Sequence, residues 1–78
     1  MKDVKVLGPG CKRCQTTADL VRAEADRLGV PVHIDKITDY AAIAGYGVLS
    51  TPGLLVDGKL VHAGGLPKAE DIARWLTA

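Results

Sequence analysis

Cys11 and Cys14 are the only cysteines in the 78 residues, and two residues separate them. A bond between sulfurs this close in sequence closes a very short loop and removes little freedom from the unfolded chain, so it is a poor structural staple. The reason for the pair is chemical. Gly8-Pro9-Gly10 breaks the chain just before Cys11, and the residues after it read as a helix. Cys11 therefore stands where first-turn N–H groups lack partners, and both hydrogen bonding and the helix dipole favour a thiolate there. Lys12 and Arg13 add positive charge between the cysteines. A cation at a helix start opposes the dipole, which points these two toward a role beside the thiolate or against an acidic partner. Cys14 lies one turn further in, on the packed face. Exposure then divides the work: Cys11 attacks a substrate disulfide and Cys14 resolves the mixed disulfide. The same spacing also offers two soft ligands for monovalent copper or half of a zinc site. The two histidines, His33 and His62, sit on candidate strands, and no spacing brings either to the cysteines. No metal is expected.

The elements that must position the pair follow from apolar spacing and breakers. Asp3–Leu7 reads as a first strand. Lys12–Leu28 reads as a helix, with Cys14, Ala18, Val21, Ala25 and Leu28 on one face and Gly29 closing it. Val30–Ile37 is a second strand, and Pro31 makes it an edge strand or marks its start. Thr38 or Asp39 caps a short helix over Tyr40–Tyr46, which Gly45 weakens and Gly47 ends. Leu54–Val56 and Leu60–His62 flank Asp57-Gly58, a strong hairpin signal. Pro67 suits the first turn of a last helix to Leu76, with Ala69, Ile72, Trp75 and Leu76 as its apolar face. Tyr40 and Tyr46 read as core or shelf residues. The order β-α-β-α-β-β-α gives an α/β fold: a four-stranded mixed sheet flanked by three helices, in one domain over 1–78. The first two strands are parallel through a right-handed crossover, and the last two are antiparallel.

Ten basic against nine acidic residues leave a formal charge of +1, so charge gives no support for nucleic-acid binding. No apolar run approaches the length of a membrane span. No export signal is evident, so a cytoplasmic protein is expected. Ser50-Thr51-Pro52-Gly53 leads into the third strand. On residues alone Pro52 is either an ordinary trans proline at a strand start or a cis proline beside the cysteines.

Three stretches carry a family resemblance: Val6-Leu7-Gly8-Pro9-Gly10-Cys11-Lys12-Arg13-Cys14, the run from Tyr46 through Thr51-Pro52 to Lys59, and Gly64-Gly65-Leu66-Pro67. With them the chain resembles thioredoxin-fold proteins, and among these the small "redox-active disulfide protein" or glutaredoxin-like thioredoxins. The resemblance implies a minimal thioredoxin fold, Cys11 as nucleophile, Cys14 as resolver and Pro52 in cis next to them. It also implies that Thr51 offers backbone hydrogen bonds to a bound peptide, and that Gly64 and Gly65 keep a substrate groove open. The chain departs from ordinary thioredoxins in three ways. Gly10 stands for a Trp, Lys12-Arg13 for Gly-Pro, and the buried acid near the resolving cysteine has only Asp3 as a candidate. Glutathione is a candidate reductant, since Thr51-Pro52 matches glutaredoxins while the acidic residue after the glycines is missing.

The expected function is thiol–disulfide exchange with protein partners, supplied by an upstream reductase and run in the reducing direction. The Cys11–Cys14 disulfide is the carrier, so no organic cofactor is needed, and a monomer is expected. Two alternatives stand beside it. A copper or soft-metal carrier of the heavy-metal-associated type has the order β-α-β-β-α-β and a Met where Pro9 stands. A binding domain that kept the fold without turnover would not need both cysteines and Thr51-Pro52.

Overall fold

The computed structural model of the chain describes residues 2–8, 12–48 and 50–77. Its elements are β1 (Lys2–Leu7), α1 (Lys12–Leu28), β2 (Val32–Ile37), α2 (Tyr40–Gly45), β3 (Gly53–Val56), β4 (Lys59–Ala63) and α3 (Ala69–Thr77). The strands form one mixed sheet in the order β2-β1-β3-β4. β1 and β2 are parallel, in register from Lys2↔Val32 to Leu7↔Ile37, with α1 as the crossover. β3 runs antiparallel to β1, and β4 antiparallel to β3. The ends of β1, β2 and β4 and the beginning of β3 therefore meet at one end of the sheet, where α1 starts. This is the α/β fold of four mixed strands and three helices that the order of elements predicts.

Local chemistry explains the boundaries. The Gly29 N–H donates to the Asp26 carbonyl at 3.3 Å and the Val30 N–H to the Ala25 carbonyl at 2.9 Å. That bond pair, with Gly29 at φ +69°, ends α1 as a Schellman motif. The Asp39 carboxylate accepts from the Ala42 N–H at 3.2 Å and caps α2. Asp57 and Gly58 both have positive φ, 51° and 82°, as a two-residue hairpin turn between right-twisted strands requires.

The sheet buries both faces unequally. Val4, Val6, Leu54 and Val56 pack under α1 and α3, against Val21, Ala25, Ile72 and Leu76. Leu7 and Leu55 point the other way, to Ile43 and Val48 at the short α2. Strand alternation sorts these residues between faces, and each fully buried Val, Leu or Ile contributes roughly 1.5–3 kcal/mol. The buried stripe of α1 is Cys14, Thr17, Ala18, Val21 and Ala25, with Leu28 half-buried beside it. Thr17 is the member that apolar spacing misses; its hydroxyl donates to the Arg13 carbonyl at 2.8 Å, so it enters the core with its polar atom satisfied.

Several expectations need correction. Pro67 precedes α3 rather than sitting in its first turn, because the Lys68 carbonyl already takes the N–H groups of Asp71 and Ile72 at 3.1 and 3.0 Å. Ala69 is exposed, and the covered face of α3 is Ile72 and Leu76 with Trp75 half-buried. Val30 and Pro31 lie before β2; Pro31 still serves the sheet edge, its carbonyl accepting from the Lys2 N–H at 3.0 Å. Tyr40 and Tyr46 are 71% and 42% exposed, since a helix of six residues covers too little of its sheet face to bury both rings. Asp3 is no neighbour of Cys14. It lies at the opposite end of β1, roughly 16 Å of strand from Gly8 at about 3.3 Å per residue. It holds the Lys5 ammonium at 2.9 Å, on the face that α2 rather than α1 covers.

The hairpin turn is tied to β1 by charge. The Asp57 carboxylate accepts the Asp3 N–H at 2.9 Å and lies 3.3 Å from Lys2 Nζ. That backbone hydrogen bond first, and Lys2 second, hold the Asp57 pKa below its ordinary value. A pKa lowered by folding means that the unfolded chain binds the proton more tightly. The stabilisation is therefore complete above the usual aspartate value, about 4, and is lost as pH falls through the folded-state value. Asp57→Asn keeps a residue that tolerates positive φ and keeps a carbonyl acceptor, but removes the charge. Between neutral pH and about pH 3, denaturant titrations should show the variant losing less stability than the natural protein; equal losses would refute the linkage.

Candidate active site

The site end of the sheet is built around a glycine. Gly8 continues β1, its N–H donating to the Ile37 carbonyl at 2.9 Å. A Cβ placed on Gly8 would collide with Cys14 Sγ, stand 3.3 Å from Cys14 Cβ and lie 3.7 Å from Thr51 Cβ. So β1, the first turn of α1 and the approach to β3 converge there. Cys14 is 4% exposed and belongs to the core cluster under α1 and α3. Burial follows from its place on the apolar stripe of the helix.

The Thr51–Pro52 peptide bond is cis. Pro52 is buried and Thr51 half-buried. Among the described residues, nothing hydrogen-bonds to the backbone of Thr51. The Pro52 carbonyl accepts from the Gly64 N–H at 2.9 Å. Gly64 and Gly65 both have positive φ, +76° and +68°, a conformation that side chains strain. At Gly64 space is short as well, since a Cβ would come within 3.1 Å of Ser50 Cβ. At Gly65 nothing crowds a Cβ.

The first turn of α1 carries no acidic residue. Lys12 and Arg13 are exposed there, and no ion pair holds either one among the described residues. Lys36, near the end of β2, donates to the Gln15 side-chain carbonyl and sets a third cation beside this turn. Charge and helix dipole together make this end of the molecule favourable for an anion.

Of the residues the sequence singles out, Cys14, Thr51, Pro52 and Gly64 come together, and Lys12 and Arg13 flank them. Gly65 follows Gly64, and its carbonyl turns to His62. Cys11 lies outside the described residues, as do Pro9 and Gly10. Two further residues belong to the neighbourhood. Gly8 reads as a mere breaker in the sequence; its signal is the smallest side chain at the strand end, where the following helix must pack back. His62 reads as an ordinary strand residue, and its ring binds the Gly65 carbonyl at 3.2 Å.

Comparison with known proteins agrees with this geometry. Residues 2–77 match the family described as "Thioredoxin domain". The chain belongs to the thioredoxin-fold superfamily. It is also 35% identical, over 69 residues, to a protein named thioredoxin from Methanocaldococcus jannaschii (88% of this chain and 79% of that one). At the level of the family, membership supports a thioredoxin-like oxidoreductase. No helix among the described residues is long and apolar enough to cross a membrane.

The close approach at Gly8 is open to a direct test. Gly8→Ala should destabilise this thioredoxin-fold domain by about 1–3 kcal/mol through overpacking. Much of that loss should vanish in a Cys14→Ala background, where the colliding sulfur is gone. A double-mutant cycle by denaturant unfolding reads the coupling, and strictly additive losses would contradict the contact.

Proposed function

We propose that the protein is a thiol–disulfide oxidoreductase that exchanges disulfides with protein partners through Cys11 and Cys14. The Cys11 thiolate attacks a substrate disulfide. A bond forms between Cys11 and one substrate sulfur, and the other leaves as a thiolate that takes up a proton. The Cys14 thiolate then attacks the Cys11 sulfur of the mixed disulfide. The second substrate thiolate leaves and is protonated, and the Cys11–Cys14 bond remains. Two electrons and two protons have passed to the substrate, and an upstream dithiol reductase resets the pair. No organic cofactor takes part.

The observation that carries this reading is the Cys14 sulfur pressed against Gly8 beside Thr51, at the helix start of a thioredoxin-fold chain. Sequence sets Cys11 immediately before Lys12, at the electropositive end of α1. There a thiolate gains from the orphan N–H groups and from Lys12 and Arg13. The Thr51 backbone, with no hydrogen-bonding partner among the described residues, suits pairing with an extended substrate segment. Main-chain pairing of that kind accepts many sequences, and the Gly64-Gly65 turn leaves room for it. We place the protein in the cytoplasm, as a monomer working in the reducing direction, with glutathione as an alternative source of electrons. The soft-metal alternative fits less well, because α2 follows β2 where that type has a further strand.

Cysteine variants test the scheme. Cys11→Ser should abolish reduction of a protein disulfide. Cys14→Ser should accumulate a covalent adduct through Cys11, visible as a mass increase that dithiothreitol removes. Turnover unchanged in both variants would end the proposal.

A further inference from the structure

Beyond the cysteines, one side chain holds the turn that borders the site. His62 lies on β4, opposite Leu54 of β3, and so points to the α1–α3 side of the sheet. Its ring lies 5.8 Å from the Trp75 ring of α3, tilted by 40°. Its Nε2 is 3.2 Å from the Gly65 carbonyl oxygen. A carbonyl only accepts, so Nε2 carries the hydrogen and donates it. One residue earlier, the Gly64 N–H donates to the Pro52 carbonyl at 2.9 Å. The turn therefore has two anchors: one on the proline beside Thr51, the other on an imidazole braced against the last helix. Between the anchors both glycines have positive φ, a region open to glycine over a wide range and hence unable to fix the turn by itself. The turn also runs close to Ser50, the residue before Thr51: a Cβ added to Gly64 would come within 3.1 Å of Ser50 Cβ, so a shift of the turn alters the surroundings of the segment that the proposed substrate pairs with.

We propose that His62 is a positioning residue for polypeptide substrates. Its Nε2–H holds the Gly65 carbonyl, and through Gly64 this fixes the Ser50–Pro52 segment in the shape that an extended substrate pairs with. The proposal rests on the thiol–disulfide reading above. It makes no use of the ring as an acid or base: the ring acts through its bond to the Gly65 carbonyl and its packing on Trp75. An extended polypeptide depends on the held segment, whereas a small disulfide that needs only the Cys11 sulfur does not.

Two substitutions separate the donor from the ring. His62→Phe keeps an aromatic ring for Trp75 and removes the donor. His62→Gln keeps an N–H donor and removes the ring. Each is assayed with a protein disulfide and with a small aromatic disulfide, and Gly64 amide exchange is followed by NMR. His62→Phe should raise KM for the protein disulfide about five-fold, the scale of one lost hydrogen bond. Its kcat and its rate on the small disulfide should stay unchanged, and Gly64 exchange should quicken. His62→Gln should restore KM and amide protection. A His62→Phe variant with unchanged KM and protection overturns the proposal, and so does an equal loss on both substrates. If the natural protein reduces neither substrate, the oxidoreductase reading fails, while Gly64 exchange still reports whether His62 anchors the turn.

Discussion

The space above Gly8 can hold either a side chain on β1 or the sulfur of Cys14, and in this protein it holds the sulfur. That contact sets how closely α1 lies along the sheet at its first turn. With Cys14 pinned at that end and Val21 and Ala25 packed further along, the helix has one seat on Val4 and Val6. Thr51 reaches the same point from the other side of the chain. A buried sulfur, a helix start and a half-buried backbone segment thus share one corner because a glycine leaves room for them.

The rest of the architecture keeps that corner in place. α1 and α3 together cover one face of the sheet with aliphatic side chains, while α2 covers part of the other. In a chain this small the larger cluster has to supply most of the burial, and Cys14 is a member of it. The end that carries the proposed site is therefore fastened to the most cohesive part of the molecule. The opposite end is held by polar links of another kind: Asp57 to Asp3 and Lys2 across the hairpin turn. Such exposed contacts are weaker and respond to pH and salt.

Charge is distributed along the same axis. Lys2, Lys5, Arg27 and Arg74 each face a carboxylate. Lys12 and Arg13 are not paired this way among the described residues, and Lys36 donates to a neutral amide. With a net charge of only +1, the protein has no long-range field to speak of. It does have a short-range one at the start of α1, on the scale over which a thiolate is stabilised.

Much of this was legible in the residues because it is local. The periodicity from Cys14 to Leu28, the Gly29 stop, a cap at Thr38 or Asp39 and the Asp57-Gly58 turn each depend on neighbours a few positions away, so their types and spacing determined α1, α2 and the hairpin. The family resemblance and the order of elements likewise determined the sheet. Only the tertiary structure decided that Gly8 receives the Cys14 sulfur, that Thr17 is buried and that His62 grips the Gly65 carbonyl. Those outcomes depend on which face of a strand meets which helix and at what height. Such contacts join residues far apart in the chain, and no short-range preference of a residue encodes them.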